Sequence, residues 1–215
     1  MLGFYNYTVI LTYLSLASAV FGIVISIEHH PFWGVICLMF SGLCDAFDGK
    51  VARMRQCSTE EEKRFGIQID SLCDLIAFGV LPCVIGYAMG MRHAAYIPVF
   101  VIYVLAALIR LAYFNVTEEI RQQQTTERRK FYSGLPVTSA ALMIPLVYGV
   151  LRLLPGYLTP VLYALALLII AILFVSRFRL RKPSFRGVLI LIGVGLLEFA
   201  VIFILLHLGA RGVFR

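Results

Sequence analysis

Seven stretches of this 215-residue chain are each long and apolar enough to cross a lipid bilayer: 7–27, 32–52, 70–91, 95–115, 136–153, 157–176 and 187–208. A helical span needs about 20 mainly apolar residues, because the hydrocarbon core is ~30 Å thick. The chain is therefore expected to fold as an all-α integral membrane protein, a polytopic helix bundle. Its composition agrees: 60% of residues are hydrophobic, 14% are charged and the mean hydropathy is +0.89. A soluble domain carries about a quarter charged residues, and a chain so poor in them has to use lipid as its solvent. The spans leave no room for a separate soluble domain, and no internal repeat or low-complexity tract is present.

The cations are unevenly placed. Lys50, Arg53, Arg55, Lys63 and Arg64 fall between the second and third spans, and Arg121, Arg128, Arg129 and Lys130 between the fourth and fifth. Arg177, Arg179, Arg181, Lys182 and Arg186 fall between the sixth and seventh. The alternate connections hold only Glu28-His29-His30, Arg92-His93 and Arg152. Loops rich in Lys and Arg stay in the cytoplasm, which predicts a cytoplasmic N-terminus and an external C-terminus in the cell membrane. The net charge of +7 is thus chiefly an orientation signal, with an added attraction to anionic headgroups. Basic residues scattered over three short loops argue against a nucleic-acid partner. Ala17-Ser18-Ala19 superficially resembles a signal-peptidase site, but no Lys or Arg precedes the first span, so 7–27 is expected to remain as a mature helix. The five cysteines (Cys37, Cys44, Cys57, Cys73 and Cys83) form no C-x-x-C pair and read as small buried hydrophobes in a reducing compartment.

Ionisable residues within membrane spans are costly and usually functional. Asp45 and Asp48 end the second span, while Asp70 and Asp74 begin the third. Spacings of three and four put each pair on one helical face, and antiparallel neighbours bring the pairs to the same end. Four converging carboxylates repel one another unless a cation joins them, and an all-oxygen donor set suits Mg²⁺ or Mn²⁺, with Ca²⁺ as competitor. The alternative is that these residues cap helix ends or pair with Lys50, Arg53 and Lys63. Gly49, Ala52 and Gly66 lie beside the acids, where the lack of a side chain lets a flat group or a phosphate approach the backbone; glycine also serves plain helix packing.

Asp45-x-x-Asp48-Gly49-x-x-Ala52-Arg53, followed by Gly66-x-x-x-Asp70-x-x-x-Asp74, resembles the signature of the CDP-alcohol phosphotransferase family. The spacer from Arg53 to Gly66 is longer than is usual there, and its polar stretch from Ser58 to Lys63 is expected to lengthen a cytoplasmic loop. The resemblance implies a six-helix core over residues 1–185, with 186–215 as an additional transmembrane helix and tail, and a homodimer. It also implies two divalent metal ions, Mg²⁺ or Mn²⁺, held by Asp45, Asp48, Asp70 and Asp74 against the diphosphate of a CDP-linked lipid. Asp74 would in addition take the proton from the acceptor hydroxyl as CMP leaves. Asp48, Gly49, Ala52, Arg53, Gly66 and Ser71 would surround the CDP.

Ser71, Phe78-Gly79-x-x-Pro82, Arg110-Leu111-x-x-Phe114-Asn115, Gly134-Leu135-Pro136 and Val175-Ser176 resemble the phosphatidylserine synthase branch of that family. The resemblance, with Asn6 and Thr8, covers residues 6 to 185. It implies CDP-diacylglycerol and L-serine as substrates, with Arg110, Asn115 and Gly134 at the acceptor. For Arg110 the alternative is an arginine snorkelling to the headgroups, for Asn115 a helix end, and for Pro82 a simple kink. Glu198 in the last span is expected to make an interhelical hydrogen bond or a subunit contact. Rival readings are the same chemistry on glycerol phosphate or inositol phosphate, an archaeal-type lipid, or a divalent-cation transporter lined by the carboxylates.

Overall fold

A computed structural model describes residues 9–54, 59–124, 131–181 and 185–210. Eight α-helices make up almost all of it: α1 (Ile10–Ile27), α2 (Pro31–Met54), α3 (Glu60–Asp74), α4 (Leu81–Ala88), α5 (Ile97–Gln124), α6 (Ala140–Leu151), α7 (Thr159–Val175) and α8 (Phe185–Ala210). Helices α3 and α4 are one continuous rod joined through a π-helical turn, Leu75–Val80, so the eight helices fall on the seven apolar stretches of the sequence. Among the described residues four segments are long and apolar enough to cross a membrane: Ile10–Ile27, Arg64–Ala88, Ala94–Arg121 and Gly156–Val175. The apolar parts of the remaining three, Pro31–Phe47, Val137–Leu151 and Leu189–Ile204, are shorter. Large apolar side chains such as Val101, Ile172 and Leu196 point outward, as they do where lipid replaces water. The fold is that of an all-α polytopic membrane protein.

Lipid tails are as apolar as leucine, so helices in a bilayer associate through close packing and polar contacts rather than hydrophobic exclusion. The α1–α2 hairpin, the most extensive helix contact, follows that rule. Ser15, Ala19, Gly22 and Ser26 line the buried face of α1. A Cβ on Gly22 would lie 2.7 Å from that of Cys37. Ser41 donates its hydroxyl to the Ser15 carbonyl (3.0 Å), and Ser18 donates to that of Cys37 (3.0 Å). Around this hairpin α4 and the π turn lie at the centre, flanked by α5, α6 and α7, with Phe78, Leu81, Ile85, Tyr103, Tyr163 and Phe174 at the heart of the core. Helix α8 packs at the rim against α6 and α2.

Two features depart from the expectations. The stretch expected to lengthen a loop is helical from Glu60 onward. Thr59 accepts from the Glu62 N–H (3.2 Å) and its own N–H donates to the Glu62 carboxylate (3.2 Å). This reciprocal cap starts α3 one full turn before Lys63, so Asp70 and Asp74 lie well inside a helix rather than at its beginning. The chain also has a short antiparallel ribbon: Phe131–Ser133 pairs with Arg179–Arg181, with Tyr132 opposite Leu180. It ties together the α5–α6 and α7–α8 connections, two of the three basic loops.

Candidate metal and phosphate site

Helix α2 presents Asp45 to α3, and α3 answers with Asp70 and Asp74, one turn apart. One carboxylate oxygen from each of the three lies within 4.8 Å of the others. Asp74 is buried, and Asp45 and Asp70 are half-buried. Three carboxylates so close and so shielded favour binding a positive partner. Their oxygen-only donor set fits Mg²⁺ or Mn²⁺, which prefer carboxylate, water and phosphate oxygens. Asp48 follows Asp45 by one turn of α2, but its side chain lies outside the described residues, as do Gly49, Ala52 and Arg53 beyond their place on the α2 backbone. A Cβ added to Gly66 would meet nothing within 4 Å, so space is open one turn before Asp70.

Ser71 and Asn115 form a closed pair. The Asn115 amide donates to the Ser71 hydroxyl at 2.9 Å, and that hydroxyl donates back to the Asn115 carbonyl oxygen at 3.1 Å. The residue beside Asp70 is thereby tied to α5. Arg110 is almost wholly buried (6% exposed). Its Nε donates to the Leu135 carbonyl at 3.0 Å, and its guanidinium lies 5.8 Å from the Phe114 ring centroid. Five residues turn a helix by about 140° beyond one full rotation, so Arg110 and Asn115 leave α5 in different directions. One engages the Leu135 strap, the other α3.

Gly134 sits on that strap with φ +82°. Its N–H donates to the Phe178 carbonyl at 2.7 Å. A Cβ there would stand 2.7 Å from the Ser176 carbonyl oxygen and 3.7 Å from Arg110 Nε. Both the left-handed backbone and the close approach therefore demand glycine. The α7 carbonyls, Gly134 and Arg110 thus meet at one point, where the ribbon hands the chain to α6.

Elsewhere the expected residues have plainer surroundings. Arg64 reaches Glu119 at 3.9 Å with both side chains exposed, a contact of little energetic weight. Pro82 opens α4 directly after the π turn instead of kinking a regular helix. Glu198 Oε2 is buried with no hydrogen-bond partner among the described residues. The features not anticipated are the π turn and the tyrosine that holds it, Tyr103, which donates to the Phe78 carbonyl at 3.0 Å. Pro82 was their only trace in the sequence: a residue without an N–H leaves a carbonyl one turn back to be satisfied from elsewhere.

Residues 5–197 match the family described as CDP-alcohol phosphatidyltransferase. The chain is 38% identical over 112 residues to a CDP-diacylglycerol–serine O-phosphatidyltransferase of Saccharomyces cerevisiae, covering 51% of this chain and 39% of that protein. It is 34% identical over 154 residues to the Helicobacter pylori protein of the same name, covering 68% of this chain and 58% of that one. It is 29% identical over 180 residues to the archaetidylserine synthase of Methanothermobacter thermautotrophicus, covering 83% and 70%. The chain thus spans about two fifths of the length of the yeast relative and under two thirds of the Helicobacter one.

Proposed function

The chain belongs to the CDP-alcohol phosphatidyltransferase family, and from that premise we propose that it transfers the phosphatidyl group of CDP-diacylglycerol to L-serine. The products are phosphatidylserine and CMP. The observation that carries this reading is the convergence of Asp45, Asp70 and Asp74. Two divalent cations, Mg²⁺ or Mn²⁺, held by these residues and Asp48, would supply charge neutralisation at the diphosphate.

The remaining chemistry falls to side chains. Asp74, the most buried of the three, accepts the proton of the serine hydroxyl. The new bond forms between that oxygen and the lipid-side phosphorus, while the bond from this phosphorus to the CMP oxygen breaks. Gly49, Ala52 and Gly66 would border the cytidine, where the open space over Gly66 suits a flat ring, and Arg53 would pair with phosphate or brace the Asp cluster. Ser71, engaged with Asn115, sets the wall between the CDP half and the acceptor half. Arg110 and Gly134 lie on the acceptor side. The guanidinium is suited to the serine carboxylate because Nε is already anchored on Leu135, leaving its orientation determined.

Serine is favoured as acceptor because it is common to the names of all the relatives above, bacterial, fungal and archaeal. The archaeal relative gives the longest of these alignments, and this favours a second reading: the same serine transfer onto an archaeal-type lipid. The basic loops support a site at the cytoplasmic face with the N-terminus inside, and the resemblance supports a homodimer. Residues 186–215 are read as an addition to the core. Purified protein in lipid, given metal, either CDP-lipid and a panel of acceptors, tests the reaction, its acceptor and its lipid through CMP release. Preference for glycerol 3-phosphate or inositol phosphate over serine sinks the acceptor assignment.

A further inference from the structure

We propose that Tyr103 is a positioning residue for the Asp site: its hydroxyl holds the wide π turn that aims Asp70 and Asp74 at Asp45. The inference rests on the reading of those carboxylates as a cation site. The turn begins at Leu75, the residue after Asp74, and the Leu81 N–H reaches back five residues to the Ile76 carbonyl. Such a turn carries one residue more than an α turn, and each residue rotates a helix by about 100°. Collapse of Leu75–Val80 to α geometry would therefore swing Asp70 and Asp74 by roughly that angle relative to α4.

Helix α4 is not free to compensate. Leu81, Ile85 and Gly86 are buried, and a Cβ on Gly86 would meet the Tyr163 ring at 2.7 Å. The rotation would fall on the acidic half of the rod, away from Asp45.

Two residues hold the turn open. Pro82 has no N–H, so it cannot complete an α-helical bond to the Phe78 carbonyl. Tyr103, fully buried on α5, donates to that carbonyl instead at 3.0 Å. In a bilayer an unpaired carbonyl is expensive, and tightening the turn would rotate the Phe78 carbonyl away from the donor that Tyr103 supplies in the wide form. The fold also contains a matched case without that consequence. Tyr163, equally buried, donates to the Pro82 carbonyl at 3.0 Å, but in α4, beyond the wide turn.

The test is Mn²⁺ binding without substrates, followed on purified protein by the loss of the free-ion electron paramagnetic signal, beside kcat, serine KM and the unfolding midpoint. Removing a residue that orients metal ligands typically costs about 10- to 100-fold in metal affinity. Tyr103→Phe is expected to lose that much and to lower kcat, with serine KM little changed. Tyr163→Phe is expected to lower the unfolding midpoint similarly and leave Mn²⁺ affinity at the wild-type value. Wild-type Mn²⁺ affinity in Tyr103→Phe overturns the proposal, and so does an equal loss in both variants, which would mean general loosening. If Tyr103→Phe does not fold, Pro82→Ala decides: by restoring the N–H it should let the turn tighten and weaken Mn²⁺ binding, and unchanged affinity overturns the idea. Asp74→Asn is the separate check on the cation site itself. If it binds Mn²⁺ as the wild type does, the site reading fails and the positioning role falls with it.

Discussion

Ser71 and Asn115, 44 residues apart in sequence, exchange two hydrogen bonds between α3 and α5. The pair sits one residue from Asp70, so it fixes the acidic helix against the helix that carries Arg110. Ser71→Ala and Asn115→Ala each strand the other polar group. Each is expected to cost about 1–3 kcal/mol of stability, and to lower kcat/KM. Because each deletion already breaks the shared contact, the double variant should be little worse than either single one. Denaturation of the four proteins in one detergent measures this, and strictly additive losses would show that the two side chains act separately.

Metal removal comes next. With Asp45, Asp70 and Asp74 converging and no soft ligand among them, activity should disappear with excess chelator and return with Mg²⁺ or Mn²⁺ but not with Zn²⁺ at equal concentration. Full turnover of CDP-diacylglycerol in EDTA would remove the basis of the proposed reaction.

Asp74→Asn keeps the size of the side chain and its burial but gives up both charge and proton acceptance. General-base loss alone costs about 10²–10⁴-fold, and weakened metal binding adds to it. Steady-state CMP release should show a fall beyond the lower end of that range. A variant with half the wild-type rate would exclude Asp74 as the base.

Arg110 and Gly134 test the acceptor side. A charge-assisted hydrogen bond is worth roughly 1.5–3 kcal/mol, so Arg110→Ala should raise serine KM about 10- to 150-fold. Arg110→Lys should recover only part of this, since lysine has no second nitrogen to hold Leu135 while meeting a carboxylate. Serine amide should be a poor substrate for the wild type and lose little more in Arg110→Ala. Gly134→Ala must place a Cβ against the Ser176 carbonyl oxygen at a positive φ. It is expected to cost about 1–3 kcal/mol and to disturb serine KM through the displaced Leu135 carbonyl. If both variants leave serine KM unchanged, the acceptor pocket lies elsewhere.

By itself the sequence determined the solvent, the apolar helical stretches and the acidic motif. These are local properties: the length of an apolar run is matched to the thickness of a bilayer, and spacings of three and four put Asp70 beside Asp74 on one helix face. The meeting of Asp45 with Asp70 and Asp74 was also legible, because consecutive spans run in opposite directions and so bring the end of one and the start of the next to the same side of the bilayer. What only the tertiary structure decided depends on contacts between distant parts of the chain. The separate destinations of Arg110 and Asn115 follow from which helices surround α5, information absent from their five-residue spacing. The Phe131–Ser133 ribbon exists because Arg179–Arg181 lies opposite it; three residues in a basic loop carry no strand signal alone. The wide turn after Asp74 needed a donor from α5, and Pro82 announced only that a carbonyl would lack a partner. Helix phase inside a membrane is set by such pairings, because every buried carbonyl has to find a donor and lipid offers none.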